Sequence, residues 1–322
     1  MYKLIVVNED NGKRVDNVTT KNVCALKPEM EISRSLVQGM IERSEVLLNG
    51  EHVKSGHKVK TDDVIEIDME KLEKENFAEH DRKIPKAEKV PLEIVYEDDD
   101  MLAVNKPAGM VVHPACGNYS GTLVNALLSY PGFLTKFNEP KEDTSDQIHV
   151  LRPGIVHRLD KGTSGIMLVA KTGVAHRKIA NQLKNRTISK TYIAIVKGIV
   201  NLDEDMIKAP IGHDKRDRRR MTIDEEKGKD SITFYHVLKR DKDRNFTVLE
   251  VKPKTGRTHQ IRIHLLHIGH PVLGDTLYNG PEIKGLSRQA LHARSIRFIH
   301  PTKNTPMELT ANFPSDFDPF MA

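Results

Sequence analysis

Tryptophan is absent from this 322-residue chain, aromatic residues make up 5%, and there are two cysteines. Those cysteines, Cys24 and Cys116, lie far apart, and neither belongs to a CxxC pair. A disulfide framework and a zinc ribbon are thereby excluded, and the pattern suits a reducing cytoplasm. The lack of tryptophan carries no inference of its own. No run approaches the ~20 apolar residues of a membrane span. The opening MYKLIVVNEDNGKR has a short apolar run followed by acids, with no small-residue cleavage site, so it does not read as a signal peptide. No sign of charge dominates: 50 Lys plus Arg stand against 45 Asp plus Glu, a net charge of +5, with a pI near 8.9. This mild tilt permits a nucleic-acid partner without demanding one. No internal repeat or low-complexity tract is present.

What remains is an ordinary globular composition, 38% hydrophobic and 30% charged, with enough chain for two domains. The stretch around which the rest is organised is Gly154–Lys171, GIVHRLDKGTSGIMLVAK. It reads as two apolar runs, Ile155–Val156 and Ile166–Val169, around a polar tip. One carboxylate, Asp160, lies between Arg158 and Lys161. A carboxylate can act as nucleophile or base toward a sugar carbon, and its basic neighbours can attract a polyanion. The plain alternative is a surface Asp in a charged turn.

Ahead of this stretch, Leu4–Val7 reads as a strand. Ile32, Leu36 and Met40 form one face of a helix that Ser33 or Ser35 can open. VLLNG and VIEID read as two strands with an Asn-Gly turn signal. Arg14, Arg34, Arg43, Lys54, Lys58 and Lys60 make this small unit basic. Residues 71–90, rich in both charges and poor in apolar residues, are expected to be a solvated linker. MLAVNKPAGMVVHP reads as strand, Pro-Gly turn, strand. Leu123, Ala126, Leu127 and Tyr130 form a helical face after Thr122, and Pro131–Arg152 reads as a long loop.

Beyond the central stretch, Thr172 can cap a helix carrying Ala175, Ile179 and Leu183 on one face. KTYIAIVKG, ITFYHVLKR and FTVLEV read as strands. KRDRRR, with Lys215, Arg216, Arg218, Arg219 and Arg220, is either a solvated loop or a phosphate contact. In GRTHQIRIHLLHIGHP, polar and apolar residues alternate over Gln260–His264, and Leu265, Leu266 and Ile268 then suggest a helical turn. Its four histidines lack metal-ligand spacing, so no metal site is expected.

Three segments carry a resemblance. HRLD followed by KGTSG, VNKPAGMVVHP at Val104–Pro114, and TGRTHQIRIHLLHIGHPVLGD at Thr255–Asp275 together resemble the motifs of pseudouridine synthases of the RluA/RluD type. The likeness covers most of residues 91–310. Gly162 departs from it, since many members carry an acidic residue there. The N-terminal unit is similar to an S-four RNA-binding domain through RVD, SR and VLLNG, with Ser44 where a glycine is usual.

These resemblances imply an α+β protein. A small S-four-like domain spans 12–70, and a catalytic domain with a largely antiparallel mixed sheet spans 91–322. They imply isomerisation of uridine to pseudouridine in RNA, with large-subunit ribosomal RNA as the favoured substrate. Asp160 would be catalytic, Tyr192 would lie against the target base, Arg262 would ion-pair with Asp160, and Arg158 would fill the gap or hold a phosphate. Arg14, Arg34 and the Lys215–Arg220 run would bind RNA. No cofactor is implied, because the bonds lost and made lie within one nucleotide. A monomer is expected. Two alternative readings stand beside it: a non-catalytic RNA-binding or ribosome-assembly protein, and a metallohydrolase built on the histidines.

Overall fold

The computed structural model describes residues 1–28, 30, 32–83, 85–115, 117–133, 153–217 and 219–321. Cys116, Arg218 and all but the first residues of the long loop expected over Pro131–Arg152 lie outside the described residues. The chain divides into two compact units, Met1–Ile84 and Pro85–Ala322.

The first unit is a three-stranded antiparallel sheet with helices on it. Strands β1 (Tyr2–Ile5), β2 (Val46–Leu48) and β3 (Val64–Ile67) lie in the order β1-β3-β2. Helix α1 (Val15–Leu26) and helix α2 (Arg34–Glu42) bury Val18, Val23, Val37, Met40 and Ile41. Ser33 opens α2, its hydroxyl accepting from the Leu36 amide at 3.1 Å. Ser44 has φ 61°, a left-handed conformation that a glycine adopts without strain.

The expected linker is not a linker over its first half. Met69–Lys83 is a helix, α3. One apolar residue, Leu72, is fully buried in the core, and Glu75 and Glu73 pair with Arg43 and Lys27. Charged residues therefore make a helix by covering a single anchored turn. Residues 86–90 are also fixed: the Asn125 side chain donates to the Lys86 carbonyl at 2.7 Å, and the Ser129 hydroxyl to that of Glu88 at 2.6 Å.

The second unit is built on a nine-stranded sheet. Its strands are β4 (Glu93–Glu97), β5 (Met101–Lys106), β6 (Ser164–Ala170), β7 (Ser189–Lys197), β8 (Glu204–Lys208), β11 (Ile232–Asp241), β12 (Phe246–Pro253), β13 (Leu291–Ile299) and β14 (Pro306–Thr310). A separate hairpin pairs β9 (Ile211–His213) with β10 (Met221–Ile223). The large sheet runs β4-β5-β6-β13-β7-β12-β11-β8, with β14 also on β13. Pairing is antiparallel except between β6 and β13. β6 is buried along its whole length, which explains its unbroken apolar run. Gly165 permits the β6–β13 contact, since a Cβ there would lie 2.2 Å from the Ala293 carbonyl oxygen.

Helix α4 (Leu123–Leu128) is capped by Thr122 and α5 (Gly173–Lys184) by Thr172. Helix α6 (Gln260–His267) takes up the residues whose alternation looks strand-like; Gln260 through Leu265 are all buried, so their polarity pattern does not report a solvent face. Met110–Pro114 forms no strand, contrary to expectation. Instead, the Val111 and Val112 carbonyls accept from the first amides of α4.

Candidate active site

Asp160 ends the segment that leads into β6. The loop is closed by the Thr163 amide donating to the Asp160 carbonyl at 3.1 Å. Arg262, in the first turn of α6, donates from Nη1 to Asp160 Oδ2 at 3.0 Å. Its Nε and Nη2 grip Asp275 at 2.6 and 2.8 Å. The Arg262 and Asp275 side chains are 7% and 1% exposed, against 22% for Asp160. Burial opposes charge on Arg262, but its carboxylate partners outweigh that and hold its pKa above the ordinary value. The Asp160 carboxylate is thus fixed from below and reachable from above.

The opening above it is a cleft of about 970 Å³, lined by Arg158, Asp160, Tyr192, Phe234, His259 and Arg262 among others. Tyr192 stands on β7 with its ring buried. Burial, and then the charge of Asp160, push its phenol pKa up, so the hydroxyl stays protonated. Arg158 is exposed at the cleft. The sequence-predicted Asp160, Arg158, Tyr192 and Arg262 therefore meet at one place. Further positive groups line the same cleft: Lys184, Arg186, Lys252, Lys254 and Arg257. Lys190 also lines it and is pushed down to about 8 by burial. Phe234, exposed at the cleft with Lys254 Nζ 5.8 Å from its ring centre, adds an aromatic face that the sequence reading did not single out.

Three other residues were missed. Lys106 ends β5 and is fully buried. Its ammonium donates to the carbonyls of Pro107, Met110 and Lys161 at 2.8, 2.9 and 3.4 Å. The NKPAG turn is therefore tied to the Asp160 loop, and the Gly109 amide adds a bond to the Lys161 carbonyl at 2.8 Å. Burial, helped by the charge of Arg288 and opposed by Asp160, lowers Lys106 to about 7. Asp275 and Tyr278 are the others, both buried beside Arg262. A lysine closing a strand that opens with the apolar run Met101–Val104 was a legible signal for Lys106; Asp275 closes the third motif, and no local signal marks Tyr278.

Gly162 also has a structural account. A Cβ at this position would lie 2.3 Å from Gln289 Oε1, whose amide nitrogen donates to the Thr163 hydroxyl at 3.1 Å. Gln289 occupies the space of the side chain that this chain lacks.

The basic residues named from sequence divide by position. Lys215, Arg216 and Arg219 are exposed in the turn of the β9–β10 hairpin, where Arg219 pairs with Asp217. Arg220 instead turns toward Tyr278, with its guanidinium carbon 5.5 Å from the ring centre. Arg14 and Arg34, in the first unit, both donate to the buried Asp16, along with Gln38. Each arginine side chain remains 44% exposed.

Of the four histidines in the third motif, His264 bonds Thr233 and the Ala209 carbonyl, His270 the Lys197 carbonyl, and His259 Tyr278. Among the described residues, Asp98, Asp100 and His300 are close enough to share a metal ion. They are already bonded to one another and to Tyr96, Thr302 and Lys303. No helix among the described residues is long and apolar enough to cross a membrane.

A family model described as RNA pseudouridylate synthase matches residues 100–267, which include Asp160, Tyr192 and Arg262. The chain belongs to the RNA pseudouridylate synthase family. It is 40% identical over 308 residues to an uncharacterized RNA pseudouridine synthase of Bacillus subtilis (strain 168), covering 96% of this chain and 93% of the relative. It is 35% identical over 335 residues to the ribosomal large subunit pseudouridine synthase D of Xanthomonas campestris pv. campestris, covering 100% of this chain and 92% of that one. Among solved structures, human RNA pseudouridylate synthase domain containing 1 superposes with a TM-score of 0.55 at 29% identity, over 71% of this chain and 86% of that one. The α+β fold with a mostly antiparallel sheet is thus that of pseudouridine synthases.

Proposed function

We propose that this protein isomerises specific uridines to pseudouridine in large-subunit ribosomal RNA, in the cytoplasm, with Asp160 as the catalytic residue. The observation that carries the reading is Asp160 on Arg262 at 3.0 Å, at the base of an open cleft with basic walls. Pseudouridine synthase D relatives named for the ribosomal large subunit support the choice of RNA.

The chemistry follows from the geometry. A uridine in a stack cannot reach a carboxylate that is 22% exposed, so the nucleotide swings out of the stack into the cleft. Arg158, exposed beside Asp160, serves the vacated stack or a flanking phosphate. Asp160 initiates breakage of the bond between uracil N1 and the sugar. The detached base turns while Tyr192 holds it against the β7 wall, and C5 joins the sugar in place of N1. The proton on C5 is then lost and N1 regains one, so the net change is an isomerisation. Arg262 holds Asp160 in place throughout.

The RNA is held by phosphate contacts. Lys215, Arg216 and Arg219 serve at the hairpin, and Arg14 and Arg34 in the S-four-like unit at the N-terminus. The half exposure of Arg14 and Arg34 supports this, since bonding to Asp16 leaves donors of both groups for an anion.

Release of tritium from RNA labelled at uridine C5 tests the activity: a catalyst releases it and a pure RNA-binding protein releases none. Mapping pseudouridines in cellular RNA with and without the gene identifies the position.

A further inference from the structure

Two hydrogen bonds run from the β9–β10 hairpin to His259, which stands next to the Asp160 carboxylate. The Met221 amide donates to the Tyr278 hydroxyl at 2.8 Å. That hydroxyl lies 2.8 Å from His259 Nδ1. Across the ring, His259 Nε2 lies 3.8 Å from Asp160 Oδ2.

The protons along these bonds can be placed. A tyrosine hydroxyl has one proton to give and can accept elsewhere. Met221 occupies an acceptor site, and among the described residues the other partner of the hydroxyl is His259 Nδ1. A proton on Nδ1 would leave the Tyr278 proton with no acceptor, in a residue that is 1% exposed. Nδ1 therefore accepts, and the neutral ring carries its proton on Nε2, facing Asp160. Burial, ahead of the opposing pull of Asp160, lowers the His259 pKa and keeps the ring neutral at pH 7. The Tyr278 ring itself is wedged between the guanidinium groups of Arg262, at 4.8 Å, and Arg220, at 5.5 Å.

Both donors near Asp160 converge on Oδ2. Arg262 Nη1 bonds it, and His259 Nε2 is aimed at it from beyond bonding distance, needing about 1 Å of side-chain movement to close. Among the described residues Oδ1 has no hydrogen-bond partner.

We propose that His259 is a positioning residue for Asp160, its Nε2–H held toward Oδ2 by Tyr278, so that Oδ1 is the oxygen presented to the nucleotide. The inference rests on Asp160 being the catalytic carboxylate. It adds a second group that orients Asp160, and it ties His259 to the hairpin through Tyr278 and Met221.

Three substitutions test it. His259 has φ 55°, a backbone conformation that asparagine tolerates better than most residues. His259→Asn thus keeps the backbone, while its short amide cannot reach the Nε2 position. In His259→Gln the longer amide can. Tyr278→Phe keeps the ring between the two arginines and removes the proton that selects the tautomer.

Single-turnover tritium release is measured at saturating RNA, with melting curves to confirm folding. The rate of His259→Asn should fall about tenfold or more, with RNA affinity within about twofold of wild type. His259→Gln should recover most of that loss. Tyr278→Phe should also slow the rate, and the double variant Tyr278→Phe with His259→Asn should be little slower than His259→Asn alone.

A wild-type rate in His259→Asn or in Tyr278→Phe, with Asp160→Asn inactive, overturns the proposal and leaves the role of Asp160 standing. Equal losses in the Asn and Gln variants also overturn it, because the ring would then act by packing. Turnover by Asp160→Asn would instead remove the underlying reading.

Discussion

Arg262 grips Asp275 at two points, through Nε at 2.6 Å and Nη2 at 2.8 Å, while one nitrogen reaches Asp160. The Asp275 carboxylate thus makes the tighter contact, and it decides where the guanidinium sits. Asp275→Ala leaves a buried cation with half its partners, a change that costs about 3–5 kcal/mol. Urea unfolding should show this loss, with turnover falling as Asp160 loses its fixed partner. A stability change within about 0.5 kcal/mol would mean that Arg262 is held by its packing.

Asp160→Asn preserves shape and removes the charge. Tritium release should drop to background while RNA affinity stays near that of wild type, because the basic walls of the cleft are intact. Measurable turnover by a clean preparation would take Asp160 out of the catalytic role.

Lys106 gives a pH signature. Its pKa is about 7 when folded, against an ordinary value of 10.5, so between those values the unfolded chain binds more protons than the folded one. Stability contributed through Lys106 therefore rises as pH increases from about 7 to about 10.5. Lys106→Met should lack this rise, seen as a pH-dependent difference in urea midpoint between the two proteins. It should also lose activity, since the bonds to the Met110 and Lys161 carbonyls vanish. Parallel stability curves would show that Lys106 does not titrate in this range.

The first unit should be sensitive to acid through Asp16. Burial resists its ionisation, but bonds from Arg14, Gln38 and Arg34 outweigh this and lower it to about 2, from 3.8. The stability it supplies, about 2 kcal/mol, is present above pH 4 and lost as pH falls toward 2. Asp16→Asn should flatten that part of the acid unfolding curve and lower stability at pH 7. Unchanged stability of the variant at pH 7 would contradict the pairing.

Removing the first unit should separate binding from chemistry. A chain starting at Pro85 retains every residue of the cleft and should fold, since its core is its own. Affinity for RNA and the salt slope of binding should both fall, with the rate at saturation little changed. Equal affinity and equal slope would reassign the unit to a protein partner.

The sequence by itself determined the family, and with it the sheet-rich fold, because three long motifs occur in order. It determined individual elements wherever a local signal sufficed: Ser33 and Thr172 cap helices, and the apolar run Ile166–Val169 lies in a strand buried along its whole length. It failed where one long-range contact outweighs local character. Leu72, with Met69 packed on the same core, anchors a helix where a linker is expected, and full burial makes the alternating Gln260–His264 helical.

The tertiary structure decided what surrounds the carboxylate beyond the Arg158, Tyr192 and Arg262 that the family resemblance implies. Asp160 and Arg262 are 102 positions apart, and Arg14 and Arg34 meet on one aspartate that no spacing rule marks. Lys106, Asp275, His259 and Tyr278 belong to the site because strand pairing and the packing of α6 bring them there. Their chemistry depends on partners and burial, both of which arise only when distant segments close around one another.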